Sequence, residues 1–182
     1  MAETPELSIY EKAFAKSDKT DAILVVNGKK LHVNKALLSY HSDYFNKLFN
    51  SEFKEKSMEE IPIEDVKFED FATVLSLIHE KALEINKGNA ENLLKLADRF
   101  LLSTPKSIVV NLIKTSSEFT RHEKLILADK CKLENLLEHA IGLYQSKESF
   151  SDFWYKSRRE FSDDLRLKLF DFFFDKFGGS LQ

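Results

Sequence analysis

An α+β fold is predicted by three features of the sequence. Ala22–Val26 and Lys30–Val33 read as short strands joined by Asn27-Gly28, a pair that tolerates positive φ and so signals a tight hairpin. From Phe68 onward, apolar residues recur at helical spacing in block after block. Between these zones, Ile61 and Ile63 alternate around Pro62, as in a short edge strand.

The bulk properties narrow the function classes. The chain has 182 residues, 43% hydrophobic and 31% charged, which is a globular composition. Its net charge is −3, and Lys and Arg are dispersed, so the basic footprint of a nucleic-acid binder is missing. The single cysteine, Cys131, rules out an intrachain disulfide and fits a reducing compartment, cytoplasm or nucleus. No apolar run approaches the roughly 20 residues that span a bilayer. Met1–Ser8 has no apolar core of the kind a signal peptide needs, so no membrane association is expected.

The elements follow in order. Leu7–Lys16 places Tyr10, Ala13 and Phe14 on one helical face, and Ser17–Thr20 breaks the pattern. After the hairpin, Lys35–Ser39 reads as one short helix. A second starts near Ser42, a candidate N-cap, and stacks Phe45, Leu48 and Phe49. Ser51–Glu60 is polar and irregular. Phe68, Phe71, Val74, Leu75 and Ile78 mark an amphipathic helix, and Asn89 is placed to cap the next, which carries Leu93, Leu94, Leu96, Ala97 and Phe100. Thr104-Pro105 opens another, with Pro at its first position.

An internal echo follows. Leu96-Ala97-Asp98-Arg99 returns at Leu127-Ala128-Asp129-Lys130, after a capping box at Thr120–Glu123. Each copy precedes a further apolar helix, so two stacked helix pairs are expected. The last stretch, with Phe153, Trp154, Phe161, Leu165, Leu169, Phe170 and Phe172–Phe174, is expected to be a helix ended by a left-handed Gly178-Gly179 cap. Its aromatic stripe reads mainly as core, with partner groove or bared surface as the alternative.

Several blocks resemble the BTB/POZ domain in the right order: Asp21–Val26, Leu31–Leu38, Ser42–Phe45, Leu48-Phe49, Ile63–Val66, Phe68, Phe71 and Leu93–Phe100. The resemblance covers roughly residues 7 to 114. It looks closest to the BTB domains of MATH–BTB adaptors, a nematode-expanded branch included, and the second helix pair is similar to their 3-box or BACK-like extension. It implies a small mixed sheet flanked by helical hairpins, homodimerisation, and in many members recruitment of cullin-3 ubiquitin ligases. The expected organisation is a dimerisation helix over residues 1–20, a BTB/POZ domain over 21–115 and a helical extension over 116–182.

The resemblance also assigns residues. Tyr10, Phe14 and Leu37 match the family's dimer seam. Asp21 and Lys35 match a charged pair in its central pocket, read here as a buried structural ion pair rather than a ligand site, because a buried charge survives only if paired. Phe53-Lys54-Glu55 occupies the place of the apolar-x-Glu motif that meets the cullin-3 N-terminal domain; the alternative is that Phe53 folds back onto its own domain. The family's Tyr-Thr-Gly after the third large helix is replaced by His79-Glu80-Lys81. No substrate-reading region resembling MATH, kelch or zinc fingers is recognisable, so the substrate stays unnamed.

Catalysis finds no support. A Gly-rich phosphate loop, a G-x-S-x-G elbow and a supported Cys/His pair are all missing from the sequence. The five histidines form no zinc-type cluster with Cys131, which reads as inert packing, so neither metal nor cofactor is expected. The expected function is therefore a homodimeric adaptor that brings a substrate protein to a cullin-3 ligase. The alternative is a BTB scaffold in a transcriptional or structural complex.

Overall fold

The computed structural model describes residues 7–50, 59–79 and 81–178. It divides into two compact units, one ending at Val109 and the other beginning at Val110. The division falls inside a helix, whereas the sequence places the end of the first domain at residue 115.

The first unit opens with a short helix, α1 (Ile9–Ala13), whose start is fixed by a capping box. The Ser8 hydroxyl accepts from the Glu11 amide at 3.3 Å, and the Glu11 carboxylate accepts from the Ser8 amide at 3.0 Å. β1 (Ala22–Val26) and β2 (Lys29–Val33) follow as an antiparallel hairpin in which Val26 faces Lys29. Asn27 and Gly28 have φ of 49° and 78°, the two successive positive values that a two-residue hairpin turn requires. β3 (Glu60–Pro62) runs parallel to β1, giving a three-stranded mixed sheet in the order β2-β1-β3. Pro62 lies on this edge strand, where a missing N–H is tolerated.

α2 (Lys35–His41) and α3 (Asp43–Asn50) form the first helical hairpin, and α4 (Phe68–Ser76), α5 (Ala90–Arg99) and α6 (Ser103–Thr115) follow. Ser42 caps α3 as expected, its hydroxyl accepting from the Phe45 amide at 3.1 Å. The same hydroxyl donates to the Phe100 carbonyl at 2.6 Å, and Ser42 bridges Leu102 in antiparallel fashion. The Phe100 ring is the aromatic centre of the unit. Phe45 stacks on it at 5.8 Å, and Tyr44 and Phe71 each approach to 5.0 Å. Leu24, Leu31, Leu38, Leu75, Leu93 and Leu94 close around this group and are fully buried.

Two local expectations need correction. Asn89 stands at the start of α5, but its side chain turns backward, accepting from the Asn86 amide and donating to the Glu84 carbonyl. α6 begins at Ser103, so Pro105 lies within the first turn, where the absent N–H still has no helical partner to lose.

The second unit continues with α7 (Arg121–Lys130), α8 (Glu134–Gly142), α9 (Lys147–Ser157) and α10 (Asp163–Phe177). The Thr120–Glu123 capping box is present at the start of α7. The aromatic C-terminal stretch is not one helix. A 3₁₀ turn at Arg158–Glu160 separates α9 from α10, and Ser162 caps α10. The Ser162 amide and hydroxyl both donate to Asp129 on α7, at 3.1 and 2.6 Å. Burial raises the Asp129 carboxyl, but these bonds and Lys132 outweigh it and hold the group below its ordinary value. Gly178 ends α10 with φ −81°, so the cap is not left-handed, and Gly179 lies outside the described residues.

The internal echo is a shared way of stopping a helix. After α5, the Leu102 amide reaches back to the Ala97 carbonyl at 2.8 Å; after α7, the Leu133 amide reaches Ala128 at 2.9 Å. Both are 6→1 closures of Schellman type, followed by a buried leucine. Both place a non-glycine residue in the left-handed position, Leu101 and Lys132, each with φ 51°. That conformation costs an L-residue about 1–2 kcal/mol.

Replacing Ser42 with Ala should lower stability by about 2 kcal/mol, because the Phe100 carbonyl and the Phe45 amide both lose a buried partner; urea midpoints measure this. Leu101→Gly should raise stability by up to about 1 kcal/mol, since Leu101 is exposed and glycine adopts positive φ freely. A lower midpoint for Leu101→Gly would show that the side chain contributes more than its conformation costs.

Candidate interaction surfaces

Two surfaces follow from the fold, one on each unit. The first borders α1. A helix of five residues is not stable alone, so α1 depends on what seats it. Phe14, just beyond its end, is buried and meets His79 edge-on with ring centroids 5.3 Å apart. The Phe14 carbonyl accepts from the His32 amide at 3.0 Å, which ties this turn to the outer side of β2. Tyr10, one turn earlier, meets Phe68 at 6.4 Å and is half-buried. These contacts turn the opposite side of α1 outward, leaving Leu7 and Ile9 53% and 62% exposed. An open groove of about 830 Å³ runs along this side, lined among others by Ile9, Ala13, Leu37 and Ile78, with Lys12, Lys19 and Lys81 at its rim.

The three seam residues therefore separate. Leu37 lines the groove, Tyr10 is half covered by its own chain, and Phe14 is enclosed in its own chain and presents almost no surface. Ile9 and Leu7 are the outward apolar residues that the sequence reading missed. Ile9 opens the short helix and Leu7 lies just before its cap, both beside the Tyr10 and Phe14 pattern.

Asp21 and Lys35 do not form the expected buried ion pair. Asp21 is exposed, and its carboxylate accepts from the backbone amide of Lys35 at 2.7 Å. Lys35 is the first residue of α2, so the carboxylate satisfies an orphan N–H at a helix N-terminus, where negative charge is favoured. The Lys35 ammonium lies over the Phe49 ring, 5.9 Å from its centroid. Asp21 thus shares the capping of α2 with Asn34, whose side chain accepts from the Leu37 amide at 2.8 Å.

Phe53, Lys54 and Glu55 lie outside the described residues. What is described is the frame around them. α3 ends at Asn50 with Phe45 and Phe49 buried, and the chain resumes at β3 with Ile61 buried against β1. In α4, Phe68 and every residue from Asp70 to Ser76 are buried, because the helix passes through the interior of the unit. Tyr40 on α2, 84% exposed, and Leu101 after α5 are among the large apolar residues that reach the surface.

The second surface is aromatic. Phe150, Phe153, Phe161, Leu165 and Leu169 are buried, as expected of a core stripe. Tyr144 packs on Phe153 at 4.5 Å, and burial pushes its hydroxyl up to about 12. Phe170 and Phe174 remain half-exposed and, with Trp154, Tyr155 and Phe173, line a groove of about 190 Å³ between α9 and α10. The stripe is therefore core on one side of α10 and bare surface on the other.

Among the described residues no cluster of His, Cys, Asp and Glu is placed to hold a metal ion. No described helix is long and apolar enough to cross a membrane.

Comparison with known proteins agrees with the frame just described. The BTB/POZ domain family profile matches residues 10–117. A BTB/POZ domain-containing protein of Caenorhabditis elegans is 36% identical over 160 residues, covering 87% of this chain and 51% of its own length. BTB and MATH domain-containing protein 36 of the same organism is 32% identical over 133 residues, covering 73% of this chain and 42% of its own. The BTB domain of human gigaxonin is 20% identical, with a TM-score of 0.46 over 62% of this chain and 99% of that domain. The chain thus spans about half the length, or less, of these curated nematode relatives. The family match covers the hairpin, the α2–α3 pair, β3 and the helices through α6, so the chain belongs to the BTB/POZ domain family.

Proposed function

We propose that this protein is a homodimeric adaptor that brings a substrate protein to a cullin-3 ubiquitin ligase. The observation that carries the dimer is the groove along α1. It sets exposed Ile9 beside half-buried Leu37 on one continuous surface, and an isologous patch of this kind pairs by twofold symmetry. Family membership supports the coarser reading, a protein-interaction domain rather than an enzyme.

The cullin reading rests on Phe53-Lys54-Glu55 in the segment between α3 and β3. A large ring in an otherwise polar segment suits a pocket on a partner, and Glu55 adds orientation more than affinity. Lys54 lies between them and contributes to the same contact. One feature favours the scaffold alternative: His79-Glu80-Lys81 stands where the family often carries Tyr-Thr-Gly.

Light scattering at tens of micromolar protein should give twice the chain mass, and Leu37→Asp should shift the protein toward monomer by placing a charge in the groove. A monomer mass for the parent protein would overturn the dimer. Calorimetry with a cullin-3 N-terminal domain should show binding that Phe53→Ala weakens by about 2 kcal/mol or more, with a smaller loss for Glu55→Ala. Absence of heat, or binding indifferent to both substitutions, would leave the scaffold reading in its place.

A further inference from the structure

His79 occupies an unusual position at the end of α4. Its Nε2 is shielded from solvent and has no hydrogen-bond partner. Its ring is held edge-on to Phe14, the residue that closes α1, and it lines the groove together with Leu37. The residue is half-buried, and its shielded Nε2 suits a neutral ring, because an imidazolium in the same place would carry a partly desolvated N–H with no acceptor.

The described charged neighbours are cationic or imidazole groups. α1 contributes Lys12 to the groove lining, the loop after it Lys19, β2 contributes His32, and the segment after α4 contributes Lys81. His41, at the end of α2, acts on His79 through its charge. Among the described lining residues there is no Asp or Glu. Glu80, the next residue in the chain, lies outside the described residues. Burial, followed by His41, holds the imidazole below its ordinary value.

We propose that His79 is a proton-operated latch for α1, which seats the helix when neutral and releases it when protonated. Given the homodimer reading above, release of α1 also takes away one wall of the pairing groove. The coupling runs through Phe14. The same residue packs on the His79 ring and, through its carbonyl, on the β2 amide of His32, so a displaced imidazolium loosens both attachments. The capping box at Ser8 and Glu11 lies within α1 and does not hold it to the domain.

The sign follows from linkage. Above about pH 6.5, the ordinary imidazole value, both the seated and the released form carry a neutral His79, and the latch holds in full. As the pH falls through that value, the released form takes up a proton first and gains on the seated form. The effect stops growing once the pH passes the lowered value of the seated ring.

The test is hydrogen exchange of the whole chain at pH 7.5, 6.5 and 5.5, corrected for intrinsic rates, with mass by light scattering alongside. The Lys12 amide donates to the Ser8 carbonyl at 2.9 Å, the Phe14 amide to the Tyr10 carbonyl at 3.2 Å and the His32 amide to the Phe14 carbonyl at 3.0 Å. Protection of these three amides should fall tenfold or more between pH 7.5 and 5.5, while the Leu24 and Phe100 regions keep theirs. His79→Phe keeps an aromatic edge against Phe14 and should abolish the pH dependence; His79→Asn is the second variant if the first does not fold. Unchanged protection in the parent protein, or the same loss in either folded variant, would overturn the latch. Mass separates the two readings: a monomer at pH 7.5 refutes the dimer and leaves the exchange result to decide the latch. A dimer that falls apart at pH 5.5 only when His79 is present supports both.

Discussion

Ser42 joins helices far apart in the sequence through one buried hydroxyl, which accepts from the amide that starts α3 and donates to the carbonyl that ends α5. The rest of the first unit depends on this clamp, because Phe100 is where its layers meet. The backbone of Phe100 is fixed by Ser42, and its ring receives Phe45 from α3 and Phe71 from α4. Hydrophobic burial alone is indifferent to direction. A single directed bond into the centre of the aromatic group sets the register of the α2–α3 hairpin against α5, and with it the position from which the Phe53 segment departs.

The second unit repeats one part of this logic and replaces another. Its first helix stops by the same 6→1 closure as α5, including the positive φ at Lys132. Where the first unit uses a serine to hold the next element, the second uses Asp129, which accepts twice from Ser162 and anchors the start of α10. Arg121 lies 4.7 Å above the Tyr144 ring, and the Lys176 ammonium donates to the Tyr144 carbonyl at 2.9 Å. The aromatic interior is thus pinned at both ends of α10 by polar side chains. This explains how so many phenylalanines pack while Phe170 and Phe174 stay outside.

Much of this was legible in the sequence, for identifiable reasons. Asn27-Gly28 announced its hairpin because turn geometry admits few residues. Ser42 and Thr120 announced their caps, while the shared closure after the Leu96 and Leu127 repeats appears only in the structure. Failures came where one side chain has two plausible partners. Asp21 and Lys35 carry opposite charges, which suggested an ion pair, yet the carboxylate takes the backbone amide of the same lysine. Phe14 packs inward against His79, and no local pattern carries that information. The break between α9 and α10 was hidden because Phe161 continues the aromatic spacing through a 3₁₀ turn.

The three-stranded sheet also bears on how copies of this chain come together. An open strand is a template for any other extended chain, and small sheets are exposed to that hazard. Here β3 carries Pro62, which has no amide to offer a new neighbour. On the far side, the amide of His32 in β2 is already taken by the carbonyl of Phe14. Ladder growth into fibre-like stacks is blunted at both margins by ordinary backbone chemistry. The residue that turns α1 back onto the domain therefore also guards against amyloid-style polymerisation, and a chain that loses its hold on Phe14 uncovers a sticky strand.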